Sequence, residues 1–166
     1  MRNKKKLPLI AAAGICALSL MAMVCVLLLT GRNSGYAFTP PPFEAEAVAG
    51  IPDVPEELGW SELDAQVYRA FLCGVVIVEN GRADLWFTNP AENEAWLKLR
   101  VLDEHGNILG ETGLLKPGEY VRSIRFDKIP EKGQRISLKL MGYEPDTYHS
   151  AGSVTLNTRI EGVISQ

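Results

Sequence analysis

Hydrophobic and polar positions follow two different rules along this chain. From Leu7 to Leu29, 23 consecutive residues carry no charge. At about 1.5 Å rise per residue, a helix of that length crosses a hydrocarbon core of roughly 30 Å. From about Phe71 onward, apolar residues instead recur at every second position between turn-forming residues, the period of half-buried β-strands. The pattern predicts a membrane helix over 7–30 followed, after a spacer, by an all-β domain.

The strands can be read one by one. Val75–Val78 is a β-branched run ending at Asn80-Gly81, the strongest two-residue hairpin signal, and Ala83–Thr88 is its return strand, stopped by Asn89-Pro90. Leu97, Leu99 and Val101 alternate with Lys98 and Arg100, and His105-Gly106-Asn107 closes that strand. Ile108–Leu115 ends at Pro117-Gly118, which suits the central positions of a type II turn. Tyr120–Phe126, Ile136–Leu140 and Val154–Ile160 complete about seven strands. Short alternating strands at this spacing predict an immunoglobulin-like antiparallel β-sandwich, with a small Greek-key barrel as the alternative. Ahead of them, Ser61-Glu-Leu-Asp64 has the spacing of a capping box, so a short leading helix and a first strand near Val67 are both open.

Charge divides the chain further. Five of the 17 basic residues lie at or before Arg32, leaving 12 basic and 20 acidic residues from Asn33 onward, a net −8. Seven of the acids fall between Asn33 and Tyr68, where there is no base; Pro40, Pro41, Pro42, Pro52 and Pro55 fall there too. Consecutive prolines and like charges keep a linker extended, so residues 31–60 read as an acidic, Pro-rich stalk and 61–166 as the folded domain. Such an acidic stretch repels nucleic acid and anionic lipid, and no nucleic-acid partner is expected.

Arg2, Lys4, Lys5 and Lys6 precede the apolar run and only Arg32 follows it closely. Basic residues stay on the cytoplasmic side, which makes 1–6 a cytoplasmic tail and places Asn33–Gln166 outside. A cleaved signal peptide, giving a secreted form, is the rival; its apolar region is usually shorter, although Gly35-Tyr36-Ala37 offers small residues where a signal peptidase reads. Ile15 and Val24 precede Cys16 and Cys25, so neither cysteine fits a lipoprotein site. The remaining cysteine, Cys73, sits in an apolar strand and is expected to be buried and inert; with no partner it forms no disulfide within the outer part.

Taken in order, Trp86-Phe-Thr-Asn-Pro90, Asn93, the Leu97–Val101 strand, Gly106 and Lys116-Pro-Gly118 resemble short membrane-anchored surface modules of Gram-positive bacteria. In those modules an N-P-x-x-N turn and a P-G turn frame the middle of an immunoglobulin-like sandwich. The resemblance spans roughly 75–126 and implies a fold and a location without an active site.

Candidate chemistry is sparse. His105 and His149 lie in turns without a second ligand cluster at metal spacing, no G-x-S-x-G elbow or phosphate-binding glycine loop occurs, and neighbouring carboxylates fall in charged turns. No catalytic residue, metal or cofactor is expected. The candidate contact surface is aromatic and basic: Trp86 is out of phase with Leu85 and Phe87, and Trp96 with Leu97, Leu99 and Val101. Both indoles then face outward, beside Lys98 and Arg100, on strands expected to neighbour each other. The expected partners are the lipid bilayer through 7–30 and an envelope protein or wall glycan through this surface.

Overall fold

The computed structural model describes residues 38–164, together with Met21 and Met23. The basic tail 1–6 and, those two methionines apart, the apolar segment 7–30 lie outside the described residues. Among the described residues no helix is long and apolar enough to cross a membrane. Residues up to Thr39 and residues from Pro40 onward are separate compact units, and the second is all-β.

Its strands are β1 (Val48–Ala49), β2 (Trp60–Asp64), β3 (Arg69–Cys73), β4 (Val76–Glu79), β5 (Arg82–Asn89), β6 (Trp96–Leu102), β7 (Ile108–Glu111), β8 (Glu119–Arg125), β9 (Arg135–Tyr143) and β10 (Ser150–Ile164). Hydrogen bonds connect them in the order β1-β8-β5-β4-β10-β9-β6-β7, with β3 on β5 and β2 on β3. The long last strand joins the two halves. Its first ten residues run antiparallel to β9; from Ile160 on it runs parallel to β4, with an irregularity between Ile160 and Gly162. The sheet therefore curls over, and inward residues of both halves (Leu72, Leu85 and Phe87 from one, Leu99, Val101 and Leu138 from the other) enter one core. All six are at most 1% exposed, and burying each stabilises by about 1.5–3 kcal/mol relative to exposure.

The turns expected from sequence close as their chemistry demands. Asn80 and Gly81 both have left-handed backbone, φ 49° and 76°, as the β4–β5 hairpin requires. Gly118 has φ 81°, and the Glu119 N–H donates to the Lys116 carbonyl at 3.1 Å. The two framing turns also lock together. Asn89 is fully buried at the end of β5; its side-chain amide donates to the Ala95 and Leu115 carbonyls, both at 2.9 Å, and its own carbonyl accepts from the Gly118 N–H at 2.8 Å. Asn93 completes the pin by donating to the Asn89 side-chain oxygen at 2.7 Å.

Two expectations are corrected. Ser61–Asp64 is not helical but part of strand β2, paired residue for residue with β3 from Trp60↔Cys73 to Asp64↔Arg69. Its capping-box spacing is overridden because Leu63 finds apolar cover against the core only in an extended chain. Nor do residues 40–60 stand off as a stalk. The Leu114 N–H donates to the Pro42 carbonyl and the Glu44 N–H to the Leu114 carbonyl, both at 2.9 Å, and β1 pairs with β8. Pro52 is buried. Proline-rich, extended backbone leaves its remaining N–H and C=O groups unpaired, so it can add to a sheet edge. Glu46 bridges to Arg82, and the half-buried Glu44 carboxylate accepts from the Gly113 N–H at 2.7 Å. Gly113 permits the approach, since a Cβ there would lie 2.5 Å from the Glu44 Cα.

Candidate functional site

On β6 the inward residues Leu97, Leu99 and Val101 are fully buried, which turns Trp96, Lys98, Arg100 and Leu102 to the opposite face. Register extends that face across two more strands. Trp96 lies opposite Tyr143, Lys98 opposite Met141, Arg100 opposite Lys139, and Leu102 opposite Ser137. On the other side of β9, Lys139 faces Thr155, Ser137 faces Asn157 and Arg135 faces Arg159. Directly opposed residues share a side of the sheet, so this outer face is aromatic at one end and cationic at the other.

At the aromatic end, the Trp96 ring takes edge contacts from Phe43 at 4.9 Å and Tyr148 at 5.2 Å between centroids, and the Lys116 ammonium sits 4.7 Å from the Phe43 centroid. Tyr148 and Asp146 in the β9–β10 loop have left-handed backbone, φ 57° and 63°, a strained state for residues with a Cβ. Backbone bonds across the loop hold it: the Glu144 N–H donates to the His149 carbonyl at 2.8 Å and the Tyr148 N–H to the Glu144 carbonyl at 3.0 Å. Trp96 is thus a packed anchor for this loop rather than a bare indole.

At the cationic end, Glu111 of β7 takes two partners, Lys98 Nζ at 2.7 Å and Arg100 Nε at 2.6 Å. Burial alone would push the Glu111 carboxyl up, but the hydrogen bonds and charges of Lys98 and Arg100 outweigh it and hold the group below its ordinary range. Lys98 is only 4% exposed, so its charge is spent on Glu111 and it is not the outward contact expected from sequence. Arg135 and Lys139 make no ion pair among the described residues, whereas Arg159 reaches Glu161 at 2.9 Å. Alternation along Ile136–Leu140 already carried the signal for Lys139, although only the register shows what lies beside it.

Trp86 is elsewhere. It lies on β5, whose partners are β3, β4 and β8, while β6 pairs with β7 and β9. The Asn89-Pro90 turn carries the chain from one half of the sheet to the other, so Trp86 and Trp96 are not on neighbouring strands, and that expectation is corrected. A bulge between Asp84 and Phe87 puts Trp86 at φ 48°, between the buried Leu85 and Phe87. Its ring stacks on Tyr120, centroids 6.0 Å apart, under the Arg122 guanidinium at 5.2 Å. Its carbonyl accepts from the Trp60 indole N–H at 3.1 Å. Trp60 in turn stacks on Phe71 at 4.7 Å, where both line an apolar hollow of about 450 Å³ with Ile51, Arg69 and Pro90.

Among the described residues no three His, Cys, Asp or Glu side chains are grouped so as to hold a metal ion. His105 sits in a turn organised by Asp103, whose carboxylate accepts from the Asn107 side chain and from the His105 and Asn107 N–H groups, each at 2.8 Å. His149 is 3.8 Å from Glu144 and exposed. Cys73 is fully buried, and desolvation, aided by the Asp84 charge, pushes its thiol up to about 12. Raised in the folded state, this group favours folding fully below the ordinary thiol range, a contribution lost as pH climbs toward 12. The Cys73 peptide should therefore resist iodoacetamide at about pH 8 in the native chain and label fully in urea, as read by mass spectrometry; fast native labelling would contradict the burial.

Comparison of the chain with protein-family models, with curated proteins and with solved structures finds no match in any of the three.

Proposed function

We propose that this chain is a non-catalytic, single-pass membrane protein, anchored through 7–30 with its N-terminus cytoplasmic, whose outer β-domain contacts another cell-envelope component. The observation that carries the reading is the outer face of β6, β9 and β10, where Arg135 and Lys139, without an ion pair among the described residues, share a surface with the Trp96 cluster. A charged face on a well-packed domain is suited to binding, since the packing holds the side chains in place before a partner arrives. Tethering raises the local concentration of a weak binder. The uncharged 23-residue run and its basic N-terminal flank support the anchor and its orientation.

Within the curled sheet we assign an immunoglobulin-like sandwich. In support, β7, β6, β9 and β10 follow one another in one half, β8, β5 and β3 in the other, and β4 leaves its hairpin with β5 to run parallel to the end of β10. Wall glycan is the second reading for the partner, favoured by the hydrogen-bonding row of Ser137 and Asn157 between cationic rows.

The full chain with a C-terminal tag, expressed in bacterial cells, tests the proposal. It should stay in the membrane fraction after alkaline extraction and lose its tag to protease added outside intact cells. A photo-reactive residue at Lys139 should give an adduct in those cells, and one at Glu57 should not. A tag found on a shortened chain in the medium would replace the anchor with a secreted form, and equal yields at both positions would remove the contact face.

A further inference from the structure

We infer that the ligand of the outer β9–β10 face is an acidic glycan, a carboxylate- or phosphate-bearing polysaccharide laid across the strands; this rests on the envelope-contact reading above. The geometry points to it through three rows of opposed residues. Arg135 faces Arg159, Ser137 faces Asn157, and Lys139 faces Arg100. Like charges directly opposite each other destabilise a sheet, and here that occurs twice on one face. Arg159 pairs with Glu161 and Arg100 shares Glu111 with Lys98, whereas Arg135 and Lys139, one in each row, make no ion pair among the described residues. These two are four residues apart on one strand, hence about 14 Å at roughly 3.4 Å per residue.

Between them, the Ser137 hydroxyl donates to the side-chain oxygen of the exposed Asn157 at 2.9 Å. A shallow hollow of about 720 Å³ opens over this end, lined by Arg135, Ser137, Asn157 and Arg159 and equally by Glu104 and Glu161. The two carboxylates make it more than a plain basic patch. Guanidinium groups meet an acid group bidentately, while carboxylates, the hydroxyl and the amide meet sugar hydroxyls. A flexible polyanion without hydroxyls would use the first set alone. Cations about 14 Å apart with a hydrogen-bonding row between them suit a chain that alternates charge with hydroxylated rings.

The test uses the full chain held in phosphatidylcholine nanodiscs and the anisotropy of fluorescein-labelled polymers. The probes are polygalacturonate for carboxylate, a phosphomannan for phosphodiester, and dextran as a neutral glucan. Binding of either acidic polymer, weakening as salt rises, is expected, with dextran at least tenfold weaker. Arg135→Gln with Lys139→Gln should weaken it at least tenfold, whereas the equal-charge control Arg69→Gln with Arg122→Gln, on the other half, should stay within twofold. Far-UV circular dichroism shows that each variant is folded. Dextran binding as tightly, no binding of any polymer, or equal effects of the two double variants would overturn the inference. So would concentration-dependent self-association lost only in Arg135→Gln with Lys139→Gln, which would give the face to the acidic 53–64 segment of a second copy. Photo-adducts at position 139 in cells without polymer binding would defeat the glycan and leave the contact reading standing; absence of both would end the two together.

Discussion

Replacing Asn89 with Ala should lower the stability of the β-domain by about 3 kcal/mol, since each group left unsatisfied costs roughly 1–3 kcal/mol. The Ala95 carbonyl loses its side-chain donor, the Leu115 carbonyl keeps only the Leu97 N–H, and Asn93 loses an acceptor. Asn89 is fully buried, and its amide bridges Ala95 at the entrance of β6 to Leu115 ahead of β8. With its own carbonyl taking the Gly118 N–H, a single residue ties together three segments that connect the two halves of the sheet. An Ala side chain reaches neither the Ala95 nor the Leu115 carbonyl, while the backbone bond from the Gly118 N–H is kept. The thermal midpoint should fall by roughly 10 °C, and urea unfolding should show the same loss. Asn89→Asp keeps the volume but swaps a donor for a second acceptor facing the same two carbonyls, so it should be at least as damaging. If Asp is tolerated, hydrogen-bond donation is not what Asn89 supplies.

Gly110→Ala should cost about 3 kcal/mol or more, at or beyond the upper end for overpacking. Gly110 lies on β7, and a Cβ there would overlap the Arg125 carbonyl oxygen, with the Phe126 Cα also only 3.4 Å away. The obstacle is backbone rather than the tip of a flexible side chain. Moving it would strain the neighbouring bond from the Asp127 N–H to the Leu109 carbonyl at 2.8 Å and disturb buried Phe126. Gly106→Ala is the informative comparison. Gly106 has φ 81° but open space around it, so Ala meets only the conformational cost of left-handed backbone, about 1 kcal/mol. Urea denaturation of the two variants should separate them clearly; equal losses would mean that the β7–β8 approach relaxes freely.

Much of the β-architecture is legible in the sequence. Each of the seven expected strand segments overlaps one of β4 to β10, because period-two alternation records which side of a pleated strand is buried. Asn80-Gly81 and Pro117-Gly118 are legible for a related reason: left-handed backbone restricts residue choice strongly and locally. The misreadings fall where pairing is non-local. Residues 40–60 carry prolines and acids in any setting, and nothing within that stretch reveals that Leu114 and β8 supply the missing hydrogen-bond partners. Trp60–Asp64 has local signals for helix, and the edge of β3 decides for strand.

The candidate face divides along the same line. Alternation alone turns Trp96, Lys98 and Arg100 outward, but it cannot show that Glu111 covers Lys98, since that contact crosses strands. Nor can it separate Trp86 from Trp96. Ten residues apart in sequence, they part because the Asn89 turn sends β5 and β6 to different halves of the sheet.

By itself the sequence determined the uncharged 23-residue run, the basic flank before it, the all-β character of the folded domain and the alternation that turns each strand residue in or out. All of these are properties of neighbouring positions, and local sterics and burial act at that range. Tertiary structure alone decided that the prolines lie on the sheet edge, that Asn89 pins the two turns, and that Arg135, Lys139, Ser137 and Asn157 form one grid with Trp96 at its far end. Strand register is set by hydrogen bonds between residues far apart in the chain, and no local pattern encodes it.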